Sequence, residues 1–154
     1  MADTRTLLVL LEQHERARDE AIARHQRLLR AADAAAAQAT QLHGYRRDYE
    51  QRWSTQFRQE CQIEILRSYH SFAQRLAQAV EQQDSAAEFA AQQIEAGVIA
   101  LREAELRCAS VRKLIERRTH EQRQGEERRE QKQTDEQAAR AGWDRRHNAD
   151  SPLT

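Results

Sequence analysis

Between Ala73 and Ile115 the chain carries an apolar stripe whose members are alternately three and four residues apart. Strict alternation of three and four is the seam of a heptad repeat, along which one helix packs against another. A seam of this length predicts a coiled coil rather than a globular core, and proteins of this kind act mainly by binding and bracing. The stripe consists of Ala73, Leu76, Val80, Gln83, Ala87, Ala90, Ile94, Gly97, Leu101, Ala104, Cys108, Val111 and Ile115.

The first third of the chain carries a second stripe with the same spacing. Four polar residues interrupt it, namely His14, Arg18, His25 and Arg46. No proline occurs before Pro152, so helix is permitted through most of the chain. The stripe consists of Leu7, Leu11, Ala21, Leu28, Ala32, Ala35, Ala39, Leu42, Tyr49 and Trp53, and a parallel row of Leu8, Ile22, Leu29 and Ala36 widens it.

The two stripes are one residue out of phase, which requires a turn or an irregularity between Trp53 and Leu66. The predicted fold class is therefore all-α, a long antiparallel two-helix coiled-coil hairpin with a C-terminal helical overhang. The alternative is a longer straight helix that pairs with a second copy. The predicted boundaries are a single hairpin over 1–142, with arm one at about 4–56, the bend at about 54–65 and arm two at about 66–142, followed by a disordered tail at 143–154.

The predicted arms are unequal in length. A bend near residue 60 pairs the start of arm one with roughly residues 113–117, and the apolar pattern stops after Ile115. Residues 116–140 are dense in Glu and Arg, with opposite charges three or four positions apart. This segment is predicted to extend beyond its intramolecular partner.

Composition excludes several classes of function. The 25 basic and 25 acidic residues give zero net charge, which disfavours a nucleic-acid-binding protein. The four glycines form no phosphate-binding loop, and the histidines and the distant Cys61 and Cys108 form no zinc spacing. We predict no enzyme activity, no catalytic or metal-binding residue and no cofactor. Without an export signal or a membrane span, a soluble cytoplasmic protein is expected.

Two features of the predicted hairpin concern packing. Cys108 lies on the seam and is expected to be a small buried residue. Gly97 costs about 1 kcal/mol relative to Ala inside a helix, so a locally weak point is expected there.

Aromatic residues gather on both sides of the predicted bend, where they form either a hydrophobic plug or a docking patch with an exposed fringe. These residues are Tyr45, Tyr49, Trp53, Tyr69 and Phe72.

Three motifs resemble those of the flagellar FliJ family. Tyr45-x3-Tyr49 with Tyr69-x2-Phe72-x3-Leu76 is similar to the tip region of that family, and residues 113–118 (KLIERR) are similar to its late second helix. The most specific piece, residues 130–141 (EQKQTDEQAARA), resembles its QK-x2-DE-x-A-x-R signature.

The resemblance implies a component of the flagellar type III export apparatus at the cytoplasmic face of the membrane. Members resemble the central stalk of rotary ATPases: they insert into the hexameric export ATPase FliI and promote its assembly. They also contact the export gate protein FlhA and are described as chaperone-like escorts. The implied gate-docking residues are Gln38, Leu42, Tyr45, Tyr49, Phe72, Leu76, Ala79 and Gln83, and the implied ATPase-binding residues are Gln131, Lys132, Asp135, Glu136 and Arg140.

Other functions remain open at this point. A stalk protein of a related injectisome would share the architecture, and a homodimeric scaffold would need no ATPase. Several of the implied docking residues, including Leu76 and Gln83, also lie on the predicted seam, so a purely structural role is an alternative for them.

Overall fold

The computed structural model describes residues 4–59 and 62–150. In these residues it contains two helices and no strand: α1 spans Thr4–Phe57 and α2 spans Ile63–Ala149. The two helices pack against each other, which confirms the predicted all-α hairpin. Ala, Glu, Gln, Arg and Leu, the residues that prefer helix, dominate both segments.

The connection between the helices is short. The N–H of Gln59 donates to the carbonyl of Gln56 at 3.1 Å, a tight bond typical of a helix end. The N–H of Leu66 donates to the carbonyl of Gln62 at 3.1 Å, so Gln62 accepts the first bond of α2. Cys61, which the sequence places near the turn, lies outside the described residues.

Backbone contacts divide the chain into two units. The central unit lies within residues 14–107, and the described part of the terminal unit joins residues 4–13 to residues 108–150. In the central unit, Ala39, Leu76 and Val80 are buried. In the terminal unit, the buried apolar residues within the described part are Leu7 from α1 and Cys108 and Val111 from α2.

The heptad pattern predicts which residues lie in the interface. All thirteen positions of the α2 stripe are buried or half-buried, and so are all ten apolar positions of the α1 stripe and the four polar residues between them. Cys108 is buried, as predicted, and with 1% of its surface exposed it is the most completely buried apolar residue in the described part of the chain. The parallel row on α1 contributes less than expected, because Leu8 and Leu29 are exposed.

Gly97 allows a close approach between the helices. A Cβ added at this position would lie 2.7 Å from Cδ1 of Leu28 and 3.7 Å from Nδ1 of His25. The same Nδ1 is buried without a hydrogen-bond partner. The structure thus shows that Gly97 makes room for residues of α1 across the interface. This packing role adds to the lower helix stability that the sequence predicts at this position.

The C-terminal boundary of α2 differs from the sequence prediction. The helix continues through residues 143–149, which were assigned to a disordered tail, and residues 151–154 lie outside the described part. The physical reason is that no helix-breaking residue precedes Pro152, while Arg146 folds back and donates from Nε to the carbonyl of Gly142 at 3.4 Å. Arg146 and His147 in the last turn also interact favourably with the helix dipole.

Candidate partner-binding surfaces

Two sets of four residues, one on each helix, form the first candidate surface. Within each set the residues are four, three and four positions apart, so each set follows one face of its helix. The first set is Gln38, Leu42, Tyr45 and Tyr49, and the second is Phe72, Leu76, Ala79 and Gln83. We call these eight residues the docking face.

Contacts across the interface bring the two sets together. At one end Nε2 of Gln83 donates to Oε1 of Gln38 at 3.2 Å, and at the other the ring centroids of Tyr49 and Phe72 lie 4.7 Å apart. In both pairs the two residue numbers add to 121. The same antiparallel register opposes Leu42 to Ala79 and Tyr45 to Leu76, which gives four successive layers.

Residues of the docking face differ in exposure. Tyr45 is 53% exposed and Phe72 is 37% exposed, and Gln38 is exposed as well. Leu76 is only 7% exposed, so its side chain belongs to the helix interface and is inaccessible to a partner in this conformation. The half-buried members are Leu42, Tyr49, Ala79 and Gln83.

An aromatic cluster continues the docking face toward the connection. The ring of Tyr49 lies 6.4 Å from Tyr45, 6.0 Å from Trp53 and 5.5 Å from Tyr69, measured between centroids. Phe57 completes the cluster at 4.9 Å from Tyr69. Sequence reasoning missed Phe57, although the row 45, 49, 53, 57 with a constant spacing of four could have indicated it. Most of the cluster is half-buried, and Tyr45 is its most exposed member.

Polar contacts fix the register beside the docking face. Nε2 of His43 lies 2.9 Å from both carboxylate oxygens of Asp84, which joins the two helices at an exposed position. Nε2 of Gln83 also donates to the carbonyl of Ala35 at 3.3 Å. A one-layer slip of the helices would break both contacts, so they favour a single alignment of the docking face.

The second candidate surface lies on the C-terminal part of α2. From His120 to Asp150 no residue is buried, and only the glycines Gly125 and Gly142 are half-buried. This stretch is predominantly polar and charged, which confirms that the seam does not extend into it. The five residues of the implied ATPase motif are all exposed; they are Gln131, Lys132, Asp135, Glu136 and Arg140.

Helix geometry places these five residues on one half of the helix. At 3.6 residues per turn, Gln131 and Arg140 lie at the edges of an arc of about 180°, and the other three lie between them. The segment from 120 to 149 extends about 45 Å at 1.5 Å per residue. We call this segment the terminal helix. It presents charged side chains on all sides and does not offer an apolar seam.

One aromatic residue stands on the terminal helix. Trp143 is 58% exposed, and its ring stacks on that of His147 with a centroid distance of 3.9 Å and an interplanar angle of 24°. None of the sequence motifs includes Trp143. Its presence among polar residues was the available signal.

The described residues carry few features of other functional classes. They contain no group of three or more His, Cys, Asp or Glu side chains arranged to hold a metal ion. The concave sites found on them are open grooves, such as one lined by Arg118, Glu121 and Arg129. In the same part of the chain, neither helix contains a stretch apolar enough to cross a bilayer.

Comparison with known proteins yields one match. The family profile described as "Flagellar FliJ protein" matches residues 4–147, which includes nearly all of both helices. Searches of curated proteins and of solved structures found no match. The match covers the docking face and nearly all of the terminal helix, and the chain therefore belongs to the FliJ family of flagellar components related to protein export.

Proposed function

We propose that this protein is a non-enzymatic stalk of the flagellar type III export apparatus. It inserts its terminal helix into the ring of the export ATPase FliI and promotes assembly of the ATPase hexamer. It also binds the export gate protein FlhA through the docking face, and so works at the cytoplasmic face of the membrane through its partners.

The single observation that supports the stalk function best is the terminal helix. About 30 consecutive residues hold a helical conformation without burying a side chain, whereas the rest of α2 buries a seam against α1. An isolated helix of this length in water depends largely on its own ion pairs, and it leaves its whole circumference available to a surrounding partner. Charged groups of both signs suit a polar pore, where complementary charges set the orientation and the register.

The docking face supports a second contact. Tyr45 and Phe72 expose aromatic surface beside Tyr49, and aromatic residues contribute a large share of the binding energy at protein interfaces. Because Leu76 is buried, we propose that it shapes this surface and does not touch the gate. Escort of export chaperones is a further proposed role for the same apparatus component.

Truncation tests the stalk function. A chain that ends after Arg118 retains the apolar seam, whose last member is Ile115, and it loses the ATPase motif. We expect the truncated protein to keep its helical far-ultraviolet circular dichroism and to lose binding to the purified ATPase in size-exclusion chromatography. Co-elution of the truncated protein with the ATPase at the affinity of the full chain would contradict the proposal.

A charge reversal provides a sharper version with a matched control. Glu136 lies on the half of the helix that carries the motif, and Glu130 lies about 120° further round, outside it. Both residues are exposed, so neither substitution by Lys removes packing. Glu136→Lys is expected to weaken ATPase binding, and Glu130→Lys is expected to leave it close to the wild-type value. Equal loss from both substitutions would indicate attraction by net charge only.

A further inference from the structure

Trp143 is a large apolar side chain in a predominantly polar segment. Within the described part of the chain, it is the single exposed large hydrophobic residue beyond Leu114. It lies on the terminal helix, where no side chain is buried, so intramolecular packing does not account for it. The stack on His147 restricts the ring, which reduces the entropy that a partner must remove on binding.

Trp143 shares a face with the proposed ATPase motif. It follows Glu136 by seven residues, or two helical turns, and at 100° per residue it lies between Lys132 and Glu136 when viewed down the axis. The motif and Trp143 therefore form one continuous strip on the terminal helix. A partner that contacts the motif reaches Trp143 about 10 Å further along.

The surroundings of Trp143 define the partner chemistry. Arg140 and Arg146 lie three residues before and after it, on the same side of the helix. Ala139, Arg140 and Asp144 line an open depression beside the indole ring, and the small Ala139 lets a partner approach the ring closely. An aromatic group flanked by two guanidinium groups fits an apolar slot with carboxylates on its rim.

We propose that Trp143 is an anchor residue that enters an apolar slot rimmed by acidic side chains on the export ATPase. This inference rests on the proposed stalk function and extends it by naming the contact and its chemistry. Arg140 and Arg146 pair with the acidic rim, and His147 holds the indole ring in the orientation that enters the slot.

Tryptophan fluorescence tests the proposal in the full-length chain. Trp53 is replaced by Phe so that Trp143 is the remaining tryptophan, and the protein is titrated with the purified ATPase. Burial of the indole ring predicts a blue shift of its emission. Trp143→Ala in the otherwise wild-type chain is expected to weaken ATPase binding about tenfold or more, as for truncation of an interface anchor. Phe89→Ala is the matched control, because Phe89 is also exposed, at 62%, and lies outside both surfaces.

The outcomes separate this inference from the proposed function. Suppose that Trp143→Ala binds the ATPase as tightly as the wild-type chain does, and that the emission of Trp143 in the Trp53→Phe chain does not shift when the ATPase is added. The anchor is then refuted and the stalk function stands. If the wild-type chain does not bind, both are refuted. A blue shift with phosphatidylglycerol vesicles and none with the ATPase would assign Trp143 to a lipid surface and would overturn the anchor.

Discussion

Substitution of Leu76 separates a packing role from a docking role. The side chain is 7% exposed, and Leu→Ala removes three carbon atoms from the interface between the helices. At about 0.8 kcal/mol per buried methylene the transfer cost is about 2.4 kcal/mol, and the resulting cavity raises the expected loss to about 2.5–4 kcal/mol. For a chain of this size each kcal/mol lowers the melting temperature by about 2–4 °C.

Urea unfolding followed by circular dichroism measures this loss. Leu8→Ala is the matched control, since Leu8 is 51% exposed and its truncation is expected to change the free energy of unfolding by less than about 0.5 kcal/mol. Tyr45→Ala is expected to spare stability and to weaken binding to the export gate. A loss below about 1 kcal/mol for Leu76→Ala would refute the burial of this residue, and a loss of gate binding without destabilisation would assign it to docking.

Three further predictions concern the packing of the hairpin. Gly97→Val is expected to destabilise the protein by about 1–3 kcal/mol in the same unfolding assay, because a Cβ alone already lies 2.7 Å from Cδ1 of Leu28 and Val adds two further methyl groups. Gly97→Ala should cost less, because the end of the Leu28 side chain can rotate away and Ala favours helix over Gly by about 1 kcal/mol. Equal values for the two substitutions would contradict the close approach. Asp84→Asn removes an exposed ion pair with His43 and should lower the free energy of unfolding by less than about 1 kcal/mol. A larger decrease would show that the alignment of the two helices depends on this contact alone. Alkylation of Cys108, read by peptide mass spectrometry, should be at least about 100-fold slower in the native protein than in urea, and rapid native labelling would contradict its burial.

The seam of each helix could be predicted from the sequence because heptad spacing determines which side of a helix is apolar. Leu7, Ala39, Val80 and Val111 all lie on the predicted stripes and are all buried. The spacing does not tell which residue faces which, since that depends on the alignment between two segments that are distant in sequence. Contacts such as the one between Leu28 and Gly97 therefore required the structure.

The candidate surfaces were predictable in part. Resemblance supplied the eight residues of the docking face; the heptad pattern already placed Leu76 on the seam and Tyr45 off it, and the structure gives their exposed fractions as 7% and 53%. Phe57 was missed although it continues the four-residue spacing of Tyr45, Tyr49 and Trp53; that spacing does not show its contact with Tyr69 on the other helix, which required the structure. Trp143 was missed because its segment was assigned to a tail, whereas α2 continues to Ala149 because no proline precedes Pro152.

Hydrolysis of ATP by the purified export ATPase, titrated with this protein while hexamer formation is followed by light scattering, tests the central claim most directly. The stalk function predicts that hydrolysis and hexamer mass rise together with the full chain and that neither rises with the chain truncated after Arg118. Unchanged hydrolysis and unchanged mass in the presence of the folded full-length protein would contradict the claim.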